Sequence, residues 1–203
     1  RARKWFGEIE SEDLRPEADI RSALSLAHEG RIEEARALLR NDVEDPGLAR
    51  RYLLAEAQIL RDAERPTEAL ALLDAALREN TEDTSLLYEA AMLAERIGRM
   101  DLLEARLRRV LELQPDHAHA LNALGYSLAD RGLRLDEAEA LIARAHALMP
   151  QDPFILDSLG WVRFRRGDQV GALVHLERAY GMRKDAEIAA HLGEVLWTLG
   201  RRD

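Results

Sequence analysis

Residues 120–150 read ALNALGYSLADRGLRLDEAEALIARAHALMP. Two stretches rich in Ala and Leu flank Gly132, and in each the apolar residues return every three or four positions, as they do along one face of a helix. Gly125 interrupts the first stretch. Ala138 opens the stripe of the second, with Ile142 one helical turn on and Ala145 just beyond. Gly132 stands where a chain reversing between two helices needs a left-handed residue, and Pro150 stands where a second helix should stop. The segment predicts two short helices joined by a tight turn.

The same spacing runs along the chain. Small residues recur at Ala23, Ala57, Ala91, Gly125, Gly160 and Gly193, between 33 and 35 residues apart. A second series, twelve or thirteen residues further on, is Ala35, Ala69, Leu103, Ala138 and Ala172, and a third is Asp42, Ala76, Val110, Ala145 and Ala179. Bulky aliphatics at Leu39, Leu73, Leu107, Ile142 and Leu176 lie four past the second series. Between the helices the turn residue is Gly30, Gly98, Gly132, Gly167 or Gly200, with Glu64 the exception. A period of this length, with two helical segments in each copy, identifies a repeat architecture.

Composition agrees. The 203 residues are 47% hydrophobic and only 5% aromatic, so the core must come from Ala and Leu, both strong helix formers. The net charge of −9 disfavours nucleic acid as a partner, and the absence of Cys removes disulfides and thiolate sites together. No apolar run approaches the roughly 18 residues that a membrane span needs.

These residues resemble a tetratricopeptide-repeat array. The copies at 120–150 and 155–180 carry the family's Leu-Gly, turn Gly, Ala, bulky and Ala positions, and Pro115 and Pro150 hold its closing position. The resemblance implies an all-α, right-handed superhelical solenoid of antiparallel helix pairs, forming a single array over 1–203. Five full repeats are expected at 16–46, 49–82, 84–117, 118–151 and 153–185. Residues 1–12, with Trp5 in their core face, read as a trailing half-repeat, and 187–203 as a leading one. The expectation is a fragment of a longer array, able to self-associate through its repeat ends. "RGLRLDEA" carries one extra residue in its turn, and Asp42 replaces a small apolar residue, so looser packing is expected around it. A side chain at Gly125, Gly160 or Gly193 should force the paired helices apart.

In this family the first helix of each pair lines the concave surface, and the residue after the small one points into it. Those residues are Leu24, Gln58, Met92, Tyr126, Trp161 and Glu194. One turn to either side lie Tyr88, Asn122 and Asp157, and Asp130, Phe164, Arg165 and Trp197. Aromatic rings beside amides and charges suit a protein- or peptide-binding groove. The alternative for each ring is partial burial as packing. A chaperone-type carboxylate clamp is disfavoured, since the only lysines are Lys4 and Lys184; a ligand carboxylate would fall to Arg165 or Arg96.

Nothing points to catalysis, a cofactor or a metal. Ser127 lacks the second glycine of a nucleophile elbow. His117 and His119, two apart, do not share a helix face and read as a solvated repeat boundary rather than metal ligands. His28, His146, His175 and His191 are scattered over different helices. Runs such as RIEEAR and LDEAEA read as solvated faces with weak pairs three or four residues apart.

A narrower resemblance joins ALNALGYSLADRG, PFILDSLGWVRFRRGD and EIAAHLGEVLWTLGRRD to large tetratricopeptide proteins of the Gram-negative envelope. These include outer-membrane lipoproteins that bind and activate a periplasmic carboxyl-terminal processing protease. That implies a non-enzymatic adaptor holding the protease and delivering its substrates, anchored by a lipid outside this sequence, with no membrane contact by these residues themselves. The alternative is a structural assembly or secretion scaffold of the envelope.

Overall fold

A computed structural model of the chain describes residues 15–40 and 43–201. The expectations for the half-repeat at 1–12, for Trp5 and for Asp42 itself lie outside the described residues. Within them there are eleven α-helices and no strand. They fall into two compact units divided after Leu103. In the first are α1 (Arg15–His28), α2 (Ile32–Leu39), α3 (Pro46–Asp62), α4 (Pro66–Glu79), α5 (Thr84–Arg96) and the start of α6 (Met100–Leu113). The second holds the rest of α6 with α7 (Ala118–Asp130), α8 (Leu135–Leu148), α9 (Pro153–Arg165), α10 (Gln169–Met182) and α11 (Ala186–Thr198).

Local chemistry sets the helix starts. Asp45, Asp83, Asp152 and Asp185 precede α3, α5, α9 and α11, and each carboxylate accepts backbone N–H bonds from the first turn. Such a cap satisfies donors that the helix itself leaves without partners. Pro46 and Pro153 follow two of these caps, at the position where a missing N–H costs nothing. His117 does the same work for α7, its Nδ1 accepting from the Ala120 N–H at 3.1 Å. His117 is therefore a helix cap, and burial pushes its pKa down, favouring the neutral ring that such a cap needs.

Within the units α1 pairs with α2, α3 with α4, α7 with α8 and α9 with α10, and the first helices of successive pairs also touch: α1 meets α3 and α3 meets α5, while α7 meets α9 and α9 meets α11. Ala23, Leu26, Ala35, Leu39, Tyr52 and Ile59 form one core cluster, and Ala57, Leu60, Ala69, Leu73, Leu86 and Ala90 the next. In the second unit the small position is glycine for a steric reason. A Cβ on Gly125 would stand 2.6 Å from Ile142 Cγ1 and 2.9 Å from the Ala138 carbonyl; on Gly160 it would stand 2.6 Å from Leu176 Cγ and 3.1 Å from the Ala172 carbonyl. Gly193 departs from the expectation: an added Cβ would meet nothing within 4 Å, because no helix among the described residues packs on that side of α11.

The turn series is equally physical. Gly30, Gly98, Gly132, Gly167 and Gly200 all have positive φ, and Glu64, the exception in sequence, adopts the same left-handed conformation at φ 58°. The extra residue in the α7–α8 turn is absorbed by a second left-handed residue, Arg134, at φ 45°. A side chain in that conformation is strained by about 1 kcal/mol or more. The Glu64 carboxylate offsets little of this, since its bond from Arg96 Nη2 at 2.8 Å lies on open surface. Glu64→Gly is therefore expected to raise the urea midpoint, by about 1 kcal/mol of stability; a lower midpoint would show that the Arg96 bond outweighs the backbone strain.

Candidate functional site

In the second unit the first helices α7, α9 and α11 bring five side chains together. Asp157 on α9 is 4% exposed, and its two carboxylate oxygens lie 2.9 and 3.0 Å from His191 Nδ1 on α11. The His191 ring lies flat on the Trp161 indole, with centroids 4.2 Å apart and an interplanar angle of 19°. On α7 the Tyr126 hydroxyl donates to Glu187 Oε1 at 2.7 Å and stands 3.5 Å from His191 Nε2. Phe164 and Arg165 complete the surround, the Phe164 ring at 5.3 Å from the indole and the guanidinium carbon over it at 5.6 Å. Arg165 also donates to the Asp130 carbonyl at 2.6 Å.

Electrostatics follow from this burial. Desolvation alone would push the His191 pKa down, but the hydrogen bond and charge of Asp157, with Glu187 and Asp130 behind it, hold the imidazole above its ordinary range. Burial pushes Asp157 up against the pull of His191. Both shifts act in one sense: the pair keeps its proton to a higher pH than a free imidazole would. Tyr126 is pushed up as well, by burial and by its bond to the Glu187 carboxylate.

Of the residues selected from sequence, the structure thus joins Tyr126, Asp157, Trp161, Phe164, Arg165 and Asp130. It does not leave all of them open. Trp161 was expected to face a groove but is 5% exposed, because His191 of the next first helix covers its face. Asp157 is buried for the same reason. Asn122 is half-buried on α7, its Oδ1 without a hydrogen-bond partner among the described residues. Glu194 and Trp197 stand exposed on α11, Trp197 at 61%. Tyr88 and Met92 belong to the first unit, half-buried on α5.

Sequence reasoning passed over His191 and Glu187. A signal was available, since Asp157 and His191 are one repeat apart and first helices of neighbouring repeats touch. Of an open cleft of about 380 Å³ on the first helices of the first unit it had only Gln58. Ile20, Leu54 and Ala55 give that cleft apolar walls, and Arg51, Gln58 and Arg61 add polar ones. Nor are all charges solvated. Glu56, 4% exposed on α3, accepts from Arg36 Nε at 2.8 Å on the neighbouring α2 and from Arg40 Nη2 at 2.7 Å just past its end. Among the ion pairs are several at one repeat's distance, such as Arg51 with Glu17 and Arg65 with Glu33, beside the expected short-range pairs such as Arg65 with Glu68.

The model for the tetratricopeptide repeat family matches residues 54–102 and 104–153. The chain is built of tetratricopeptide repeats. Within each unit its first helices lie side by side, the arrangement from which a binding face is built in this family. TPR repeat-containing protein PA4667 of Pseudomonas aeruginosa is 42% identical to this tetratricopeptide-repeat chain over 178 residues, 87% of the chain. The chain spans 30% of that relative's length. A tetratricopeptide repeat protein from Parabacteroides merdae shares the fold at a TM-score of 0.73 and 18% identity, over 92% of this chain and 74% of that one. YrrB, described as a TPR protein with an unusual peptide-binding site, superposes at a TM-score of 0.63 and 23% identity, over 87% and 91% of the two chains.

Proposed function

We propose that these repeats form a non-enzymatic adaptor, whose partner docks on the first helices of the second unit. We further propose that the partner is a periplasmic carboxyl-terminal processing protease, which the adaptor holds and supplies with substrates at the outer membrane. The observation that carries the docking surface is the Tyr126–Glu187 tie, which lies over the buried Trp161–His191 stack. It offers a large amphipathic ring and a carboxylate, held in place by groups from three helices, and rigid aromatic anchors dominate binding energy. The protease as partner, and the envelope as location, are supported by the resemblance of the three runs at 120–132, 153–168 and 187–203 to envelope adaptors.

Co-purification from a Gram-negative envelope extract tests both parts. The baits are the wild-type chain and a Tyr126→Ala/Glu187→Ala variant, which spares the buried Trp161, and mass spectrometry reads the captured proteins. Capture of the processing protease by the wild type, with at least about tenfold less on a variant that melts normally, is the expected result. Equal capture by both would move the site off this surface. Absence of the protease from both would remove it as the partner.

A further inference from the structure

We propose that Asp157 and His191 form a proton-operated latch, which holds α11 on α9 while the imidazole is charged and lets it go when the imidazole is neutral. The hydrogen-bond directions carry this. The Tyr126 hydroxyl has one proton and gives it to Glu187 at 2.7 Å, so toward His191 Nε2, 3.5 Å away, its oxygen can only accept. The other ring nitrogen faces both oxygens of the Asp157 carboxylate. A ring with a carboxylate at one nitrogen and an acceptor facing the other is best satisfied as an imidazolium.

The surroundings agree. From α7 the ring is faced by Tyr126 and feels Asp130; from α9 it is faced by Asp157 and the Trp161 indole, over which Arg165 lies; on its own helix the nearest charge is Glu187. The packing of α10 against α11 is apolar, through Leu173, Leu176, Ala179 and Tyr180. The other charges acting on Asp157, Glu187 and Asp185, are acids, so its cation is the one that the latch supplies. When the imidazole loses its proton, Asp157 is left as a buried charge without a counter-ion, which is costly. The sign of the pH dependence follows. His191 has a folded pKa above its unfolded value, so its contribution to stability is fully present below the ordinary imidazole value of 6.5 and is lost as pH rises through the folded value.

The chain has three tryptophans, so Trp5→Phe/Trp197→Phe leaves Trp161 as the sole indole reporter. Its emission is followed from about pH 5 to about pH 9, with helicity recorded alongside, because a stacked imidazolium quenches indole. The expected result is a single titration, dimmer on the acid side, abolished by His191→Gln and moved down by at least about one pH unit in Asp157→Asn. Amide exchange along α11, corrected for its intrinsic pH dependence, should quicken above the same midpoint. A titration that survives His191→Gln, a midpoint that Asp157→Asn leaves in place, or α11 exchange that ignores the midpoint would each overturn the latch. If His191→Gln fails to fold, the Asp157→Asn midpoint and the wild-type exchange decide the question.

Discussion

Glu56→Ala is expected to lower the stability measured by urea unfolding by about 3 kcal/mol, the low end of what breaking a buried ion pair costs. The carboxylate is the shared acceptor of Arg36 and Arg40, and Arg36 is itself largely covered, with 12% of its side chain exposed. Without Glu56 that guanidinium keeps Glu33 at the surface but loses its buried partner. The loss comes from the uncompensated charge more than from the missing contact, so Arg36→Met/Glu56→Met should recover more than half of it. A single variant that melts within about 0.5 kcal/mol of the wild type would show that Arg36 turns outward to water instead.

Gly160→Leu is the second large effect, expected to destabilise by about 3 kcal/mol or more through overpacking. The first atom beyond Cα already collides with Leu176 Cγ at 2.6 Å and crowds the Ala172 carbonyl at 3.1 Å. The side chain can turn, but the carbonyl is part of α10 and cannot, so α9 and α10 must separate. The internal control is Gly193→Ala, whose added Cβ meets nothing within 4 Å and which gains helix propensity. Thermal melts of the two variants should therefore move in opposite directions. A common fall would mean that mid-helix glycine is needed for some reason other than close packing.

These two substitutions mark what sequence could and could not reveal. The helix pairs were legible because three constraints repeat in phase: a small residue where helices touch, a left-handed turn, and an apolar stripe. Glu64 shows that the backbone constraint outranks the residue type, since it holds the left-handed turn in a place where every other copy has glycine. The candidate site was legible only in part. Residues chosen by their offset from the small position included Tyr126, Asp157 and Trp161, but a residue's offset on its own helix does not say what the next helix lays over it. His191 lies two before Gly193, outside the chosen offset, and its stacking turns an expected open ring into a buried one. Glu56 escaped for a similar reason. It is a single acid between Ala55 and Ala57, and only the approach of α2 shows that Arg36 and Arg40 enclose it.

The ion pairs and hydrogen bonds that join one repeat to the next bear on how such a chain can change in length. Arg51 with Glu17, Tyr52 with Asp19, Arg65 with Glu33, Arg165 with Asp130 and His191 with Asp157 are separated by 32 to 35 positions. Each donor is matched to whatever stands one period earlier, so inserting or excising a whole period keeps most of the chain's charges in step, and only the seam must find new partners. A shift of two or three residues inside a helix instead turns the pairs that span it onto different faces and puts those donors opposite the wrong neighbour. Duplication in whole units is thus the electrostatically quiet route by which this sequence can grow or shrink, and ragged insertions belong in the turns, where Arg134 has already absorbed one.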